Sequence, residues 1–274
     1  MKTIYYYQTF VGLHQLFPHL TDIDVINVSS IHFDKDKQRN SQIYLNDNLP
    51  TDPIFDTMWR EVHEANDQGV TIMLMVGGAG GAYTNLFKDF DTYYPLLKEL
   101  LQLKSFISGI DLDIEEVVDI NNVKRLINTL KKDFPNLKLS MAPVYGSMMS
   151  SSSGMGGFSY KDLYKSHEGQ HIDWFNVQCY GSFSLNTYQT IINNGYPSDK
   201  IVMGHESGQF NKNTFHTALE EVKKCLKLYP TMAGVYDWEY LNAPPDENDP
   251  SEWAKQMCQI GKEYFDSCGT IVLE

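Results

Sequence analysis

The stretch Ser-Gly-Ile-Asp-Leu-Asp-Ile-Glu-Glu, residues 108–116, constrains this chain more than any other. It places Asp111, Asp113 and Glu115 at every second position of an otherwise apolar run. A β-strand sends alternate side chains to one face, so the three acids share one side while Ile110, Leu112 and Ile114 pack on the other. Carboxylates side by side repel, and each raises the pKa of the next unless protons are shared or partners supplied. Stability alone gives little reason to keep such a strand. Three readings account for it: a solvated edge strand with an acidic outer face, a metal site built from clustered hard ligands, or a set of acids for proton transfer. The pattern points most strongly to the third.

The rest of the chain supplies a setting for that strand. Segments of strand and helix character alternate throughout, which implies a parallel sheet. Strands are expected over residues 3–10, 24–33, 70–76, 108–116, 137–143, 174–180, 200–204 and 232–238. The run 70–76 is almost wholly apolar, as suits a strand covered on both faces. Thr51-Asp52-Pro53 opens a helix that carries Phe55, Met58, Trp59, Val62 and Ala65 and stops at Gly69. Residues 86–103 carry a leucine stripe interrupted by Pro95, and further helices are expected from Asn121, around Tyr188, around Val222 and from Ser251. Residues 145–159, rich in Ser, Gly and Met, are expected to form a mobile loop, either a tolerated insertion or a cover over the substrate.

Eight strands with intervening helices in 274 residues point to an α/β fold, a (β/α)₈ TIM barrel spanning residues 1–274 as a single domain. In such a barrel the chemistry sits where strands end at the carboxyl face. Those ends supply Gly77 and Gly78, then Asp111, Asp113 and Glu115, then Met141, Gln178, Tyr180 and Trp238. The glycine-rich loop 77–81 matches neither a P-loop nor a dinucleotide fingerprint, and is either a close backbone approach at the mouth of a pocket or an ordinary glycine-rich turn. His205, at another strand end, is either a hydrogen-bonded packing group or a proton donor.

Charge and composition narrow the partners. The net charge of -13, with no Lys/Arg block, argues against nucleic acid and favours a neutral ligand. No apolar run reaches 18 residues, and the start lacks a long apolar segment with a small-residue cleavage site, so no membrane association is expected and the chain is intracellular or has lost a leader. The cysteines show no metal-type spacing, although Cys258 and Cys268 could pair. No metal or cofactor is expected, and the chain is expected to be a monomer.

At these strand ends the sequence resembles glycoside hydrolase family 18, the chitinases and endo-β-N-acetylglucosaminidases. Residues 108–115 match the family's Asp-Gly-x-Asp-x-Asp-x-Glu signature at every fixed position but the first, where Ser108 stands for Asp. Met75-Val76-Gly77-Gly78 is similar to its Ser-x-Gly-Gly without the serine. Met141-Ala142-Pro143, Gln178-Cys179-Tyr180 and Trp238 follow the family's order. The resemblance implies retaining hydrolysis of a β-1,4 bond beside N-acetylglucosamine, with the substrate as its own nucleophile. It implies Glu115 as acid and base, Asp113 on the acetamido N–H with Asp111 behind it sharing a proton, Tyr180 and Gln178 on the acetamido group, and Trp238 as the floor. The gap 207–231 is too short for the α+β insertion of deep-groove members, which implies an open cleft. Residues 43–59 and 238–246 look similar to fungal-type endo-β-N-acetylglucosaminidases and short chitinases, so the expected partner is a chitin-type oligosaccharide, a polysaccharide or an N-glycan. A silent carbohydrate-binding barrel is the alternative, against which Glu115 speaks; a metal-dependent phosphodiesterase barrel is the more distant one.

Overall fold

The computed structural model describes the backbone of residues 1–269. Among these residues the strands are β1 (Lys2–Tyr7), β2 (Val25–Lys35), β3 (Ser41–Leu45), β4 (Thr71–Gly77), β5 (Ile107–Asp113), β6 (Lys138–Met141), β7 (Trp174–Gln178), β8 (Ile201–Glu206) and β9 (Gly234–Trp238). All pair in parallel except β3, and the β1–β2 pairing closes the sheet into an eight-stranded barrel. The helices are α1 (Asp56–Asp67), α2 (Ala82–Lys88), α3 (Phe90–Leu103), α4 (Ile120–Asp133), α5 (Tyr145–Met148), α6 (Tyr160–Lys165), α7 (Leu185–Asn193), α8 (Phe215–Leu228) and α9 (Ser251–Gly269). Asp119 caps α4 by accepting from Asn121 N–H, and Ser184 caps α7 from Thr187 N–H. The (β/α)₈ barrel expected from the alternation is therefore present.

Strand alternation divides the buried side chains into two layers. Leu139, Met141 and their equivalents face the helices. Ile4, Tyr6, Met73, Met75, Trp174 and Tyr236 fill the barrel interior. Filling it with rings and long thioethers requires small residues opposite. A Cβ on Gly204 of β8 would lie 1.9 Å from the Tyr236 ring, and one on Gly109 of β5 would lie 2.6 Å from Met73 Cγ.

Four expectations need correction. Residues 41–45, absent from the expected strands, form β3, which pairs antiparallel with the far end of β2 and extends it as a hairpin. The helical stretch 86–103 breaks at Asp89, not at Pro95, which lies inside α3. The segment 145–159 is not a bare loop: it begins with α5, buries Met148 and Phe158, and is tied by Met155 N–H to Ser147 Oγ and by Val118 N–H to Gly156 O. Cys258 carries a free thiol, and the side chain of Cys268 lies outside the described residues. Both positions sit ten residues apart on α9, a rise of about 15 Å. A disulfide spans only about 4.4–6.8 Å between Cα atoms, so the helix separates the pair.

Gly204→Ala should cost about 1–3 kcal/mol by overpacking the barrel interior against Tyr236. Urea unfolding of the variant against wild type measures it; an unchanged midpoint would mean the ring is free to move aside.

Candidate active site

The end of β5 is the centre of the site. Asp111 is fully buried at the top of the barrel interior. It accepts hydrogen bonds from Tyr6 OH at 2.7 Å, from Ser140 Oγ at 2.5 Å and from Asn176 Nδ2 at 3.1 Å. These partners come from β1, β6 and β7, whose inward positions alternate in step with those of β5. Burial raises the Asp111 pKa above the usual carboxylate value, and the three donors oppose that rise without cancelling it. Tyr6, Ser140 and Asn176 thus supply the donors that meet the Asp111 oxygens.

Asp113 lies one step higher, 5% exposed. Burial, then the charges of Glu115 and Asp111, hold its carboxyl well above the usual carboxylate range, against one lowering hydrogen bond from Gln178. Glu115 stands just past the strand and is partly exposed. The Gln178 amide nitrogen connects the acids: it lies 3.1 Å from Asp113 Oδ1, 3.4 Å from Glu115 Oε1 and 2.8 Å from Ala142 O. Gln178 thereby fixes the two carboxyl groups on one side of the pocket.

Gly77 and Gly78 set the opposite wall. Gly77 has φ +101°, and a Cβ there would lie 2.2 Å from the Asp113 carbonyl oxygen. Only glycine tolerates both that conformation and that approach. The Gly78 N–H donates to the same oxygen at 2.9 Å, so the glycine-rich loop is the close backbone contact expected of it. Trp238 closes the floor with its ring centroid 5.3 Å from that of Tyr6, and Tyr180 receives a hydrogen bond from Tyr236 OH at 3.2 Å. Burial raises the Tyr180 pKa well above its ordinary value, so the phenol keeps its hydrogen to donate.

These groups line one cavity of about 290 Å³. It contains Gly77, Gly78, Asp113, Glu115, Gln178, Tyr180 and Trp238, with Asp111 immediately beneath. Met141 is not among them. Because Ser140 points inward to Asp111, period-two alternation turns Met141 outward to the helix layer, where it is fully buried. His205 is a packing group: the Trp253 indole N–H donates to its Nε2 at 2.7 Å, and Nδ1 lies 3.1 Å from buried Asp237. Sequence reasoning missed Tyr6, Ser140 and Asn176, and also Gln8, Ser30, His32 and Ala79 on the cavity wall, where Met75 lies too. The polar Ser140 and Asn176 inside apolar strands were the available signal. Among the described residues no cluster of three His, Cys, Asp or Glu side chains is arranged to hold a metal ion, and no helix is long and apolar enough to cross a membrane.

Comparison with known proteins gives a consistent picture. The sequence model of glycosyl hydrolases family 18 matches residues 2–252. A fungal endo-beta-N-acetylglucosaminidase of that family is 28% identical over 95% of this chain and 98% of its own, with a TM-score of 0.83. The chitinase ChiC from Aspergillus fumigatus is 27% identical over 94% of this chain and 98% of its own, with a TM-score of 0.80. A GH18 chitinase from Pseudoalteromonas aurantia, at 19% identity and a TM-score of 0.72, shares the fold; it covers 95% of this chain and 100% of its own. Among curated proteins nothing matches.

Asp113 gives a stability test. A carboxyl whose folded pKa lies above its unfolded value binds its proton more tightly when folded, so stability falls as pH rises from the unfolded pKa towards the folded one. Asp113→Asn removes that loss. The variant should gain stability relative to wild type as pH rises from about 4 towards neutrality, the range in which an unfolded aspartate has lost its proton. Urea midpoints across that range measure it, and a pH-independent difference would place the proton elsewhere.

Proposed function

The chain belongs to glycosyl hydrolases family 18 and is a glycoside hydrolase, and from that premise we propose that it cleaves β-1,4 bonds next to N-acetylglucosamine with retention, the substrate's own acetamide acting as nucleophile. The observation that carries the reading is the joint placement of Asp113 and Glu115 on the Gln178 amide, in a cavity walled by Tyr180 and floored by Trp238. A hexosamine lying on Trp238 would bring its 2-acetamido group between Asp113 and Tyr180. The acetamido N–H would bond to Asp113, while Tyr180 OH would donate to the acetamido oxygen and turn it towards the anomeric carbon.

Glu115 then acts twice. As an acid it gives its proton to the bridging oxygen as the C1–O bond breaks, and the acetamido oxygen closes on C1 to give an oxazolinium ion. As a base it takes a proton from water, whose hydroxyl reopens the ring at C1 and restores the original configuration. One water is consumed, and Glu115 ends protonated as it began. Asp113 supports the charge that develops on the acetamido nitrogen, the arrangement in which fixed groups stabilise a transition state most. Asp111 is the buried, three-donor carboxylate whose charge helps keep Asp113 protonated before substrate arrives. Gln178 positions both outer acids, and Gly77 and Gly78 leave room for the sugar to approach. The silent-binder alternative is not favoured, because the acid is present and faces the cavity.

Glu115→Gln should abolish release of reducing sugar from N-acetylglucosamine oligomers or a high-mannose glycopeptide while leaving binding intact. Wild-type turnover in that variant would remove Glu115 from the chemistry. Tyr180→Phe should lower kcat by about 10²-fold with KM little changed, the value of one donor to a developing charge. A change confined to KM would make Tyr180 a ground-state contact only.

A further inference from the structure

Glu115 carries the proposed proton transfers, yet its own segment holds it loosely. It stands past the end of β5, and its side chain meets Gln178 Nε2 only at 3.4 Å. The backbone is fastened on either side, by Gly78 N–H to Asp113 O and by Val118 N–H to Gly156 O. Between those points, over residues 114–117, no backbone–backbone hydrogen bond is formed among the described residues. A proton donor in such a segment needs another restraint, because a reacting group is effective only when its position is fixed closely.

The neighbouring side chain supplies one. Glu116 turns to the start of α2, where it accepts from Tyr83 N–H at 2.5 Å, from Thr84 N–H at 3.0 Å and from Thr84 Oγ1. The first amides of a helix have no partner within it, and Gly81, which precedes α2, has no side chain to offer them. A carboxylate accepts on both oxygens, so it can meet all three donors at once. The loop that leads into α2 places Gly78 and Ala79 on the cavity wall. Glu116 therefore joins the segment carrying the proton donor to the wall that faces it.

The same chemistry recurs behind Trp238 and gives an internal comparison. Glu239 accepts from Gln8 N–H at 3.1 Å, from Thr9 N–H at 3.3 Å and from Thr9 Oγ1 at 2.5 Å. There the fastening is duplicated: Ser207 N–H donates to Trp238 O, and Ser207 Oγ donates to Glu239 O at 2.6 Å. The segment of Glu115 has no such second tie.

We propose that Glu116 is a positioning residue for the hydrolysis: by binding the free amides of α2 it holds the Glu115 carboxyl at its place over the cavity, and turnover depends on it more than substrate binding does. The inference rests on the hydrolytic reading above and adds a residue to it.

The test is the kinetics of Glu116→Gln and Glu239→Gln on N-acetylglucosamine oligomers and a high-mannose glycopeptide, with Tm measured alongside. An amide keeps the size of the side chain but turns a donor towards the helix amides. In Glu116→Gln, kcat should fall about tenfold or more with KM close to that of wild type, the order expected when a reacting group is displaced by part of an ångström. Glu239→Gln loses bonds of the same kind and should lower Tm to a similar extent while kcat stays close to wild type. Thr84→Val, at an exposed position, removes only the hydroxyl donor and should lower kcat in the same direction by a smaller factor. Wild-type kcat in both Glu116→Gln and Thr84→Val, with or without a lower Tm, would make Glu116 a helix cap alone and overturn the inference, leaving the hydrolytic reading standing. Equal losses of kcat in Glu116→Gln and Glu239→Gln would also overturn it, since they would report a general loosening of the rim. Cleavage of neither substrate by the wild type would overturn the hydrolytic reading and this inference with it.

Discussion

Three carboxylates on one face of one barrel strand are the constraint around which the site is arranged. Taking a carboxylate out of water is costly unless hydrogen bonds replace its hydration. Asp111 receives that replacement from Tyr6, Ser140 and Asn176 on three different strands. Asp113 receives much less, one side-chain bond from Gln178, and the cost appears as a carboxyl that favours its proton. The asymmetry is useful. Burial raises both pKa values, and the poorer hydrogen-bond environment of Asp113 raises its value further, so the two acids of one strand differ in how tightly they hold a proton.

The surrounding packing serves the same end. The interior rings Tyr6 and Tyr236 fill the barrel while reaching upward with their hydroxyl groups, one to Asp111 and one to Tyr180. Gly204 leaves the volume that Tyr236 needs, and Gly77 lets β4 end against the Asp113 backbone. Precise placement matters here because electrostatic stabilisation requires donors held where charge develops, with little rearrangement left to make. A site on strand ends, backed by a filled barrel, meets that requirement better than one on free loops.

Much of this was legible in the sequence because a strand's period of two is unambiguous where polar residues interrupt an apolar run. The acids of 108–116 identified the inner face of β5 and the carboxyl groups at the cavity. Gln178, Tyr180 and Trp238 followed from their places at strand ends. Met141 failed for the same reason that Asp111 succeeded: its neighbour Ser140 is the inward residue, and a motif that spans both faces does not say which one reaches the cavity. The donors to Asp111 were hidden because their pairing depends on closure of the barrel, which brings together residues 105 and 65 positions apart. The β2–β3 hairpin was missed because its short strand is half-exposed and antiparallel, set among turn residues that read as a polar loop. In the segment 145–159, composition suggested too little apolar surface, yet Met148 and Phe158 bury enough to anchor it.

The proposed mechanism turns on the substrate's acetamide as nucleophile, and the configuration of the first product reports on it directly. Proton NMR in the first minutes of hydrolysis, before mutarotation, distinguishes the two anomers. Attack by the acetamide followed by water delivers the β-anomer, with no sugar bound covalently to the protein. The α-anomer appearing first would mean that water displaces the leaving group in one step, and would contradict the arrangement of Asp113, Tyr180 and Glu115 described above.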